Sequence, residues 1–224
     1  MFALIPAAGS GSRASSPQPK QYAPLVGRPM LWHAIRAVCV PPVRSVFVVL
    51  APGDKAWAGH DWSAFDGKLQ PLYCGGESRR DSVHNGLVAT MDEMEADDWV
   101  LVHDAARPCL PRAHLERLIG ECAADEVGGI LALPVTDTVK RGMQDRIENT
   151  EERADLWLAQ TPQMFRAGLL LRALRQARGR LTDEASAVEQ MGLKPKLVQG
   201  SRENLKVTWP EDLAVAENLL KRNA

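Results

Sequence analysis

Short continuous apolar runs recur along the chain, separated by amphipathic stretches. Phe2–Ile5, Ser45–Leu50 (SVFVVL), Lys68–Tyr73, Trp99–His103 (WVLVH), Gly129–Leu133 (GILAL) and Lys196–Gln199 read as strands. Most do not alternate with polar residues, which is the pattern of strands covered on both faces. Helical spacing lies between them. Pro29 opens PMLWHAIRAV, with apolar residues at 30, 31, 34, 35 and 38, and proline suits an early helical position. Val83, Leu87 and Met91 share one face of a second helix, and Leu115, Leu118 and Ile119 mark a third. Helical patterns return at Leu169–Ala177 and Glu184–Met191. Thr208, Pro210 and Glu211 precede an apolar stripe at Leu213, Ala216, Leu219 and Leu220, a helix start followed by its buried face. Strand alternating with helix predicts an α/β fold with a doubly wound, mainly parallel sheet.

The segment from Pro134 to Thr161 breaks the alternation. It holds β-prone VTDTVK, a polar stretch from Arg141 to Arg146, then Ile147–Thr150 and a charged EER. This reads as an extended hairpin leaving the body of the fold. An isolated hairpin is marginal in water, so such an arm calls for a partner surface. There is no internal repeat and no low-complexity tract. The chain, 1–224, reads as one α/β domain with a β-arm at about 134–161.

Composition narrows the function classes. The 224 residues are 45% hydrophobic and 25% charged, an ordinary globular balance, and the length suits one large domain with a sizeable core. A net charge of -1 and the lack of a basic block argue against nucleic acid. No run approaches the roughly 20 apolar residues of a membrane span, and the start of the chain lacks the basic-then-apolar pattern of a signal peptide. The expectation is a cytoplasmic protein. Cys39, Cys74, Cys109 and Cys122 form no C-x-x-C pair, so they read as free thiols rather than zinc ligands or disulfides.

The stretch PAAGSGSRASSPQPKQY, Pro6 to Tyr22, follows the first apolar run. Gly9, Gly11 and Ala14 fit the dinucleotide pattern G-x-G-x-x-A. Pro17 and Pro19 argue against a helix starting inside the motif. The ribose-binding carboxylate expected about 20 residues further on would fall in helix. The Walker pattern also fails, because no Gly-Lys-Ser/Thr follows. What remains is a long loop carrying Arg13 and Lys20. Glycine amides and two cations can fold over a polyphosphate, and a solvated loop with incidental cations fits the same residues.

Other segments decide between these. GGESRRDSV (Gly75–Val83), VHDAARP (Val102–Pro108), TDEASA (Thr182–Ala187) and ENLKVTWPEDL (Glu203–Leu213) join the opening loop. P-A-A-G-x-G-x-R with a lysine seven residues after the arginine resembles the wider nucleotidyltransferase group. HDAARP, N-x-K-V-T and TDEASA narrow the resemblance to the 2-C-methyl-D-erythritol 4-phosphate cytidylyltransferase family and near relatives such as ribitol-phosphate cytidylyltransferases. It covers nearly the whole chain in the expected order. It implies a Rossmann-like nucleotidyltransferase fold and a homodimer interlocked through the β-arms. It also implies the joining of a sugar-like phosphate to CTP, with release of pyrophosphate, in the non-mevalonate isoprenoid pathway.

The chemistry sets its own demands. The nucleophile is the acceptor's phosphate, already ionised at neutral pH, so no protein nucleophile or general base is required. The obstacle is bringing one polyanion against another in line with the leaving group. Positioning and charge neutralisation must therefore dominate. Mg²⁺ is expected, held mainly by the triphosphate rather than by a protein metal site.

The resemblance distributes roles over this sequence. Arg13 and Lys20 match the loop cations on the triphosphate, and Lys206, in NLKVT at an expected strand end, matches a lysine bridging the two phosphates. Ala7, Ala8 and Gly9 match backbone positions at the cytosine ring, Gly11 belongs to the same loop, and Gly76 and Ser82 finish the base pocket. Arg79 falls near the triphosphate. Asp104 follows the WVLVH strand and serves either the Mg²⁺ centre or the acceptor hydroxyls, with Ala105 against the ribose. Arg107 either reaches the acceptor phosphate or braces Asp104. Thr138, Arg153 and Thr161 are placed on the arm, and the resemblance has the partner subunit's matching threonine and arginine grip the acceptor phosphate, apt for a planar guanidinium fork. Thr182 lies near the substrate and can also cap a helix. His103, inside an apolar strand, reads as a structural imidazole, and Trp209 as a packing residue where relatives often carry arginine. Glu77 and Ser78 also depart from common family choices. Two other readings fit the residues: a cytidylyltransferase for ribitol 5-phosphate, and a non-catalytic nucleotide-binding module, which would be expected to lack one of the cations at 13, 20 or 206.

Overall fold

Apolar residues that alternate between two cores explain why the strands read as unbroken runs. In a computed structural model describing residues 1–9 and 19–222, strand β1 (Phe2–Pro6) sends Ala3 and Ile5 to one core and Phe2 and Leu4 to the other. β4 (Ser45–Val49) and β6 (Trp99–Val102) divide their side chains in the same way. A period of two combined with apolar residues at every position requires cover on both faces.

The elements follow in chain order. After β1 come a two-residue ribbon, β2 (Pro24–Leu25) with β3 (Arg28–Pro29), and helix α1 (Met30–Val38). Then follow β4, β5 (Leu69–Leu72), α2 (Arg79–Ala89), β6, α3 (Arg112–Cys122) and β7 (Gly128–Pro134). β8 (Val139–Met143) and β9 (Arg146–Glu151) form a separate hairpin, followed by β10 (Trp157–Arg166). The chain continues through α4 (Ala167–Gln176), α5 (Glu184–Glu189), β11 (Lys196–Gln199) and α6 (Pro210–Arg222). The main sheet has the order β11-β7-β10-β6-β1-β4-β5. Its pairings are parallel except those of β10, which runs antiparallel to both β6 and β7. α1 and α3 cover one face through Leu31, Ile35, Leu115 and Leu118. α2, α4 and α5 cover the other through Val83, Leu87, Leu170 and Val188. A smaller cluster, with Leu25, Met30, Val207, Ala216 and Leu220, fastens α6 beside the β2–β3 ribbon.

The doubly wound, mainly parallel sheet is as expected, with differences in detail. The central antiparallel strand β10 was not legible, because Gln160, Thr161, Pro162 and Gln163 look like loop composition; Gln160, Thr161 and Gln163 are buried with partners instead. The free-standing hairpin spans only Val139 to Glu151, since β7 and β10 flank it as members of the main sheet. Thr161, expected on the arm, therefore sits in the body of the fold. α2 stops at Ala89, where Thr90 Oγ1 donates to the Gly86 carbonyl at 2.9 Å, and Met91 lies beyond the helix, exposed. No described helix is long and apolar enough to cross a membrane.

Candidate active site

The carboxyl ends of β1, β4 and β6 open on one edge of the sheet, where parallel α/β sheets place their ligands. A cleft of about 530 Å³ lies there, lined by Ala7, Ala8, Gly9, Lys20, Gly76, Ser82, Asp104, Ala105 and Lys206, among others. A second cavity of about 180 Å³, with Arg107, Thr161, Thr182 and Asp183 on its walls, shares Arg79, Asp104 and Lys206 with the cleft. Residues from well-separated segments thus converge.

Each segment is fixed by its own local chemistry. Ala7 continues β1, its N–H donating to the Val49 carbonyl at 2.8 Å, and its own carbonyl accepts from Gln21 Nε2 at 2.7 Å. Gln21 sits in the 3-10 turn Lys20–Tyr22, so this bond ties Lys20 to the end of β1. Tyr22 completes the turn from behind, donating to Asp54 at 2.8 Å and stacking on His60. Lys20 Nζ donates to the carbonyl of Val207, next to Lys206. Gly75 and Gly76 allow close backbone approach. A Cβ at Gly75 would meet Ala8 Cβ at 2.2 Å, and one at Gly76 would meet Asp81 Cβ at 2.4 Å, so no larger residue fits without displacing Ala8 of the cleft wall or Asp81 at the start of α2. Ser78 caps α2 in a reciprocal pair with Asp81. The Ser82 hydroxyl accepts from the Gly76 N–H at 3.1 Å and donates to the Ser78 carbonyl at 3.0 Å. Its one hydrogen is thus engaged within the helix start.

Asp104 is the hub. Arg79 reaches its Oδ1 at 2.9 Å and Lys206 Nζ its Oδ2 at 2.7 Å. Burial alone would push this carboxyl up; Arg79 and Lys206 outweigh that and, with the field of Arg107, hold it well below the usual carboxylate range. Arg79 continues to Glu184, whose two oxygens accept from Nη1 at 2.6 Å and Nη2 at 3.0 Å. Burial works against the guanidinium charge, and the two carboxylates raise its pKa in spite of it.

Behind Asp104 lies an ordered proton chain. His103 Nε2 faces the Arg107 carbonyl at 3.0 Å, which can only accept, so that nitrogen carries the hydrogen. Nδ1 is then an acceptor, and the Thr161 hydroxyl at 3.1 Å donates to it while accepting from the Asp104 N–H at 2.9 Å. Burial, only partly offset by these bonds, drops the imidazole to about 4. His103 is thus a neutral structural group, as its sequence context suggests. The Thr161 hydroxyl is committed to the same chain.

Several expectations are corrected in detail. Lys206 lies in an irregular segment rather than at a strand end. The cap of α5 is Asp183, which accepts from Ser186 N at 3.0 Å; Thr182 lies one residue before it. Arg107 braces backbone carbonyls instead of Asp104, donating to Asn204 at 2.6 Å and Ala159 at 3.4 Å. Its Nε is buried with no hydrogen-bond partner among the described residues. Trp209 is 58% exposed rather than packed. Thr138 and Arg153 are exposed and line neither cavity, and the Arg153 guanidinium donates to the Thr136 carbonyl. Gly11 and Arg13 lie outside the described residues. Sequence reasoning missed Glu184, Gln163 and Asp183. An acid in the first turn of a helix is ordinary, so nothing in TDEASA announces a buried carboxylate. Gln163 joins α5 to β10, accepting from Ala185 N at 2.8 Å and donating to Asp183 at 2.8 Å.

A mainly parallel sheet with a glycine-bordered cleft holding Lys20 and Lys206 at its carboxyl edge, and a second polar cavity alongside, is an α/β architecture suited to a phosphorylated ligand, and its likeness to solved structures makes that class the nucleotidyltransferase-like one. The comparisons make the assignment particular. The family model for 2-C-methyl-D-erythritol 4-phosphate cytidylyltransferase matches residues 1–222. Proteins of that name from Azoarcus sp. strain BH72 and Nitrosospira multiformis are 55% identical over 221 residues and 56% over 225. The matches cover 98% of this chain and 93% and 97% of the relatives. The crystal structure of a 4-diphosphocytidyl-2C-methyl-D-erythritol synthase is 39% identical with a TM-score of 0.86, covering 98% of each chain. A cytidylyltransferase structure from Thermus thermophilus is 30% identical with a TM-score of 0.80, covering 99% of this chain and 98% of that one. The chain belongs to the 2-C-methyl-D-erythritol 4-phosphate cytidylyltransferase family.

Proposed function

We propose that this chain transfers the cytidylyl group of CTP to 2-C-methyl-D-erythritol 4-phosphate in isoprenoid biosynthesis. An oxygen of the acceptor phosphate attacks the α-phosphorus of CTP. The bond from that phosphorus to the bridging oxygen breaks, and pyrophosphate leaves with the electron pair. The observation that carries the reading is the convergence of Lys20, Asp104 and Lys206 in one cleft, with the small-residue wall Ala7–Gly9 and Gly76 beside them.

The larger cleft takes CTP. Ala7, Ala8, Gly9, Gly76 and Ser82 hold the base, where small side chains let the ring lie against the backbone, and Ala105 meets the ribose. Gly11, Arg13 and Lys20 hold the triphosphate, and Lys206 bridges the two phosphates as charge builds between them. The smaller cavity takes the acceptor. Asp104 receives its hydroxyls, with Arg107 and Thr182 beside it, and Thr161 orients Asp104 through its backbone N–H. Mg²⁺ would be held mainly by the triphosphate and would supply charge neutralisation there. Among the described residues Glu77 and Asp104 are the acids lining the cleft, and Asp104 already meets two cations. That fits a metal held by its nucleotide better than a protein cage.

Residues 1–224 act as one catalytic domain that works as a homodimer. The β8–β9 hairpin stands apart from the main sheet and exposes Met143 and Ile147, the latter at 69%. A two-stranded ribbon with apolar residues outward needs a second surface. The arms therefore interlock, and Arg153 and Thr138 serve the partner's acceptor site. Free thiols at Cys39, Cys74, Cys109 and Cys122 suit a reducing cytoplasm. The test is pyrophosphate release with Mg²⁺, CTP and methylerythritol phosphate, run beside ATP, GTP, UTP and ribitol 5-phosphate. Turnover restricted to the first pair supports the reading; turnover only with ribitol phosphate overturns the acceptor, and none with any pair overturns the activity.

A further inference from the structure

Arg79, Asp104 and Lys206 form the wall common to the two cavities. The two cations differ in how they are held. Lys206 is half-exposed on a flexible stem, whereas Arg79 is gripped from behind by a carboxylate. That carboxylate, Glu184, has a side chain 1% exposed and lines neither cavity. Both its oxygens accept from Arg79, and Arg79 turns a further N–H to Asp104. A buried anion is costly to desolvate and is a poor device for stability alone. Its geometry suits another role, because a guanidinium fork clamped at one end presents a rigid donor at the other.

We propose that Arg79 and Glu184 are a positioning pair that holds the Asp104 carboxylate toward the acceptor, and that Arg79 is not a ligand of the triphosphate. The inference rests on the reading of Asp104 as the group that receives the acceptor hydroxyls. An ionised carboxylate has about four acceptor sites, so bonds to Arg79 and Lys206 leave capacity for a hydroxyl. When Lys206 turns to the reacting phosphates it releases Asp104 Oδ2. The Arg79 contact then keeps the carboxylate charged and oriented during reaction. With its donors turned to two carboxylates, Arg79 has little to offer a triphosphate.

The decisive variant is Arg79→Met/Glu184→Leu, because removing one partner alone leaves a buried charge unpaired, whereas an apolar pair of similar volume is tolerated. The expected result is a melting temperature near wild type, a KM for methylerythritol phosphate raised about tenfold or more, and a KM for CTP within about twofold. An unchanged acceptor KM would make the pair purely structural and overturn the proposal. An equal rise in CTP KM would place Arg79 on the triphosphate and overturn it too. If the double variant does not fold, Glu184→Gln is measured with the same split expected, and an unchanged acceptor KM there counts against the pair. Asp104→Asn separates the two layers. If it leaves the acceptor KM unchanged, the reading of Asp104 fails and the pair's role with it. If it raises that KM and the pair's variants do not, only the pair's role fails.

Discussion

Lys206 Nζ lies 2.7 Å from Asp104 Oδ2, joining the larger cleft to the smaller cavity by one ion pair. The lysine side chain is half-exposed, so the pair contributes little to stability, on the order of 1 kcal/mol at most. Asp104 keeps Arg79 as a second partner. Lys206→Ala is therefore expected to melt close to wild type while turnover falls by roughly 10²–10³-fold, the loss typical of one preorganised electrostatic contact. Calorimetry and steady-state kinetics on the same preparation check both halves.

Lys20 is held at the cleft by the Val207 carbonyl and by the Gln21–Ala7 bond within its turn. Lys20→Ala should cost about 10²–10³-fold or more in kcat. A KM effect on CTP alone, with kcat intact, would assign Lys20 to ground-state binding instead.

His103 makes the fold sensitive to mild acid. Its folded-state pKa of about 4 lies below the ordinary histidine value of 6.5. Between these values the unfolded chain binds the proton that the native state refuses. The stabilising contribution is thus full above pH 6.5 and lost as pH falls towards 4, amounting to about 3 kcal/mol. Protonation would also remove the acceptor that the Thr161 hydroxyl needs. Denaturant unfolding of wild type and His103→Gln across this range should show a steep fall for wild type and a shallower one for the variant. Parallel profiles would contradict it.

Arg153 lies outside both cavities of its own chain. Arg153→Ala is expected to raise the KM for the acceptor and spare that for CTP. Mixing inactive Lys20→Ala subunits with Arg153→Ala subunits should restore activity at one of the two sites in each mixed dimer. No recovery from a mixture shown to exchange subunits would count against shared sites.

Much of this was legible because parallel strands advertise themselves. A run such as SVFVVL has no polar face to offer, so cover on both sides follows at once. Gly75 and Gly76 were legible as members of a motif, and the structure adds why they are small: the Ala8 and Asp81 side chains occupy the space a Cβ needs. What stayed hidden was polar and buried. β10 passes through the middle of the sheet with Gln160, Thr161 and Gln163 inward, and their partners come from distant segments that no local pattern connects. Glu184 was invisible for the same reason: its partner Arg79 is 105 positions away. Trp209 went the other way, since a large aromatic beside a motif reads as packing and here stands in solvent.

The most direct test follows the phosphorus atoms. CTP labelled separately at the α- and γ-phosphorus is incubated with Mg²⁺, methylerythritol phosphate and the enzyme, and the products are separated. Cytidylyl transfer predicts the α-label in a cytidine diphosphate ester of the acceptor and the γ-label in pyrophosphate. A γ-label on the acceptor, or an α-label released as CMP with the acceptor unchanged, would contradict the account.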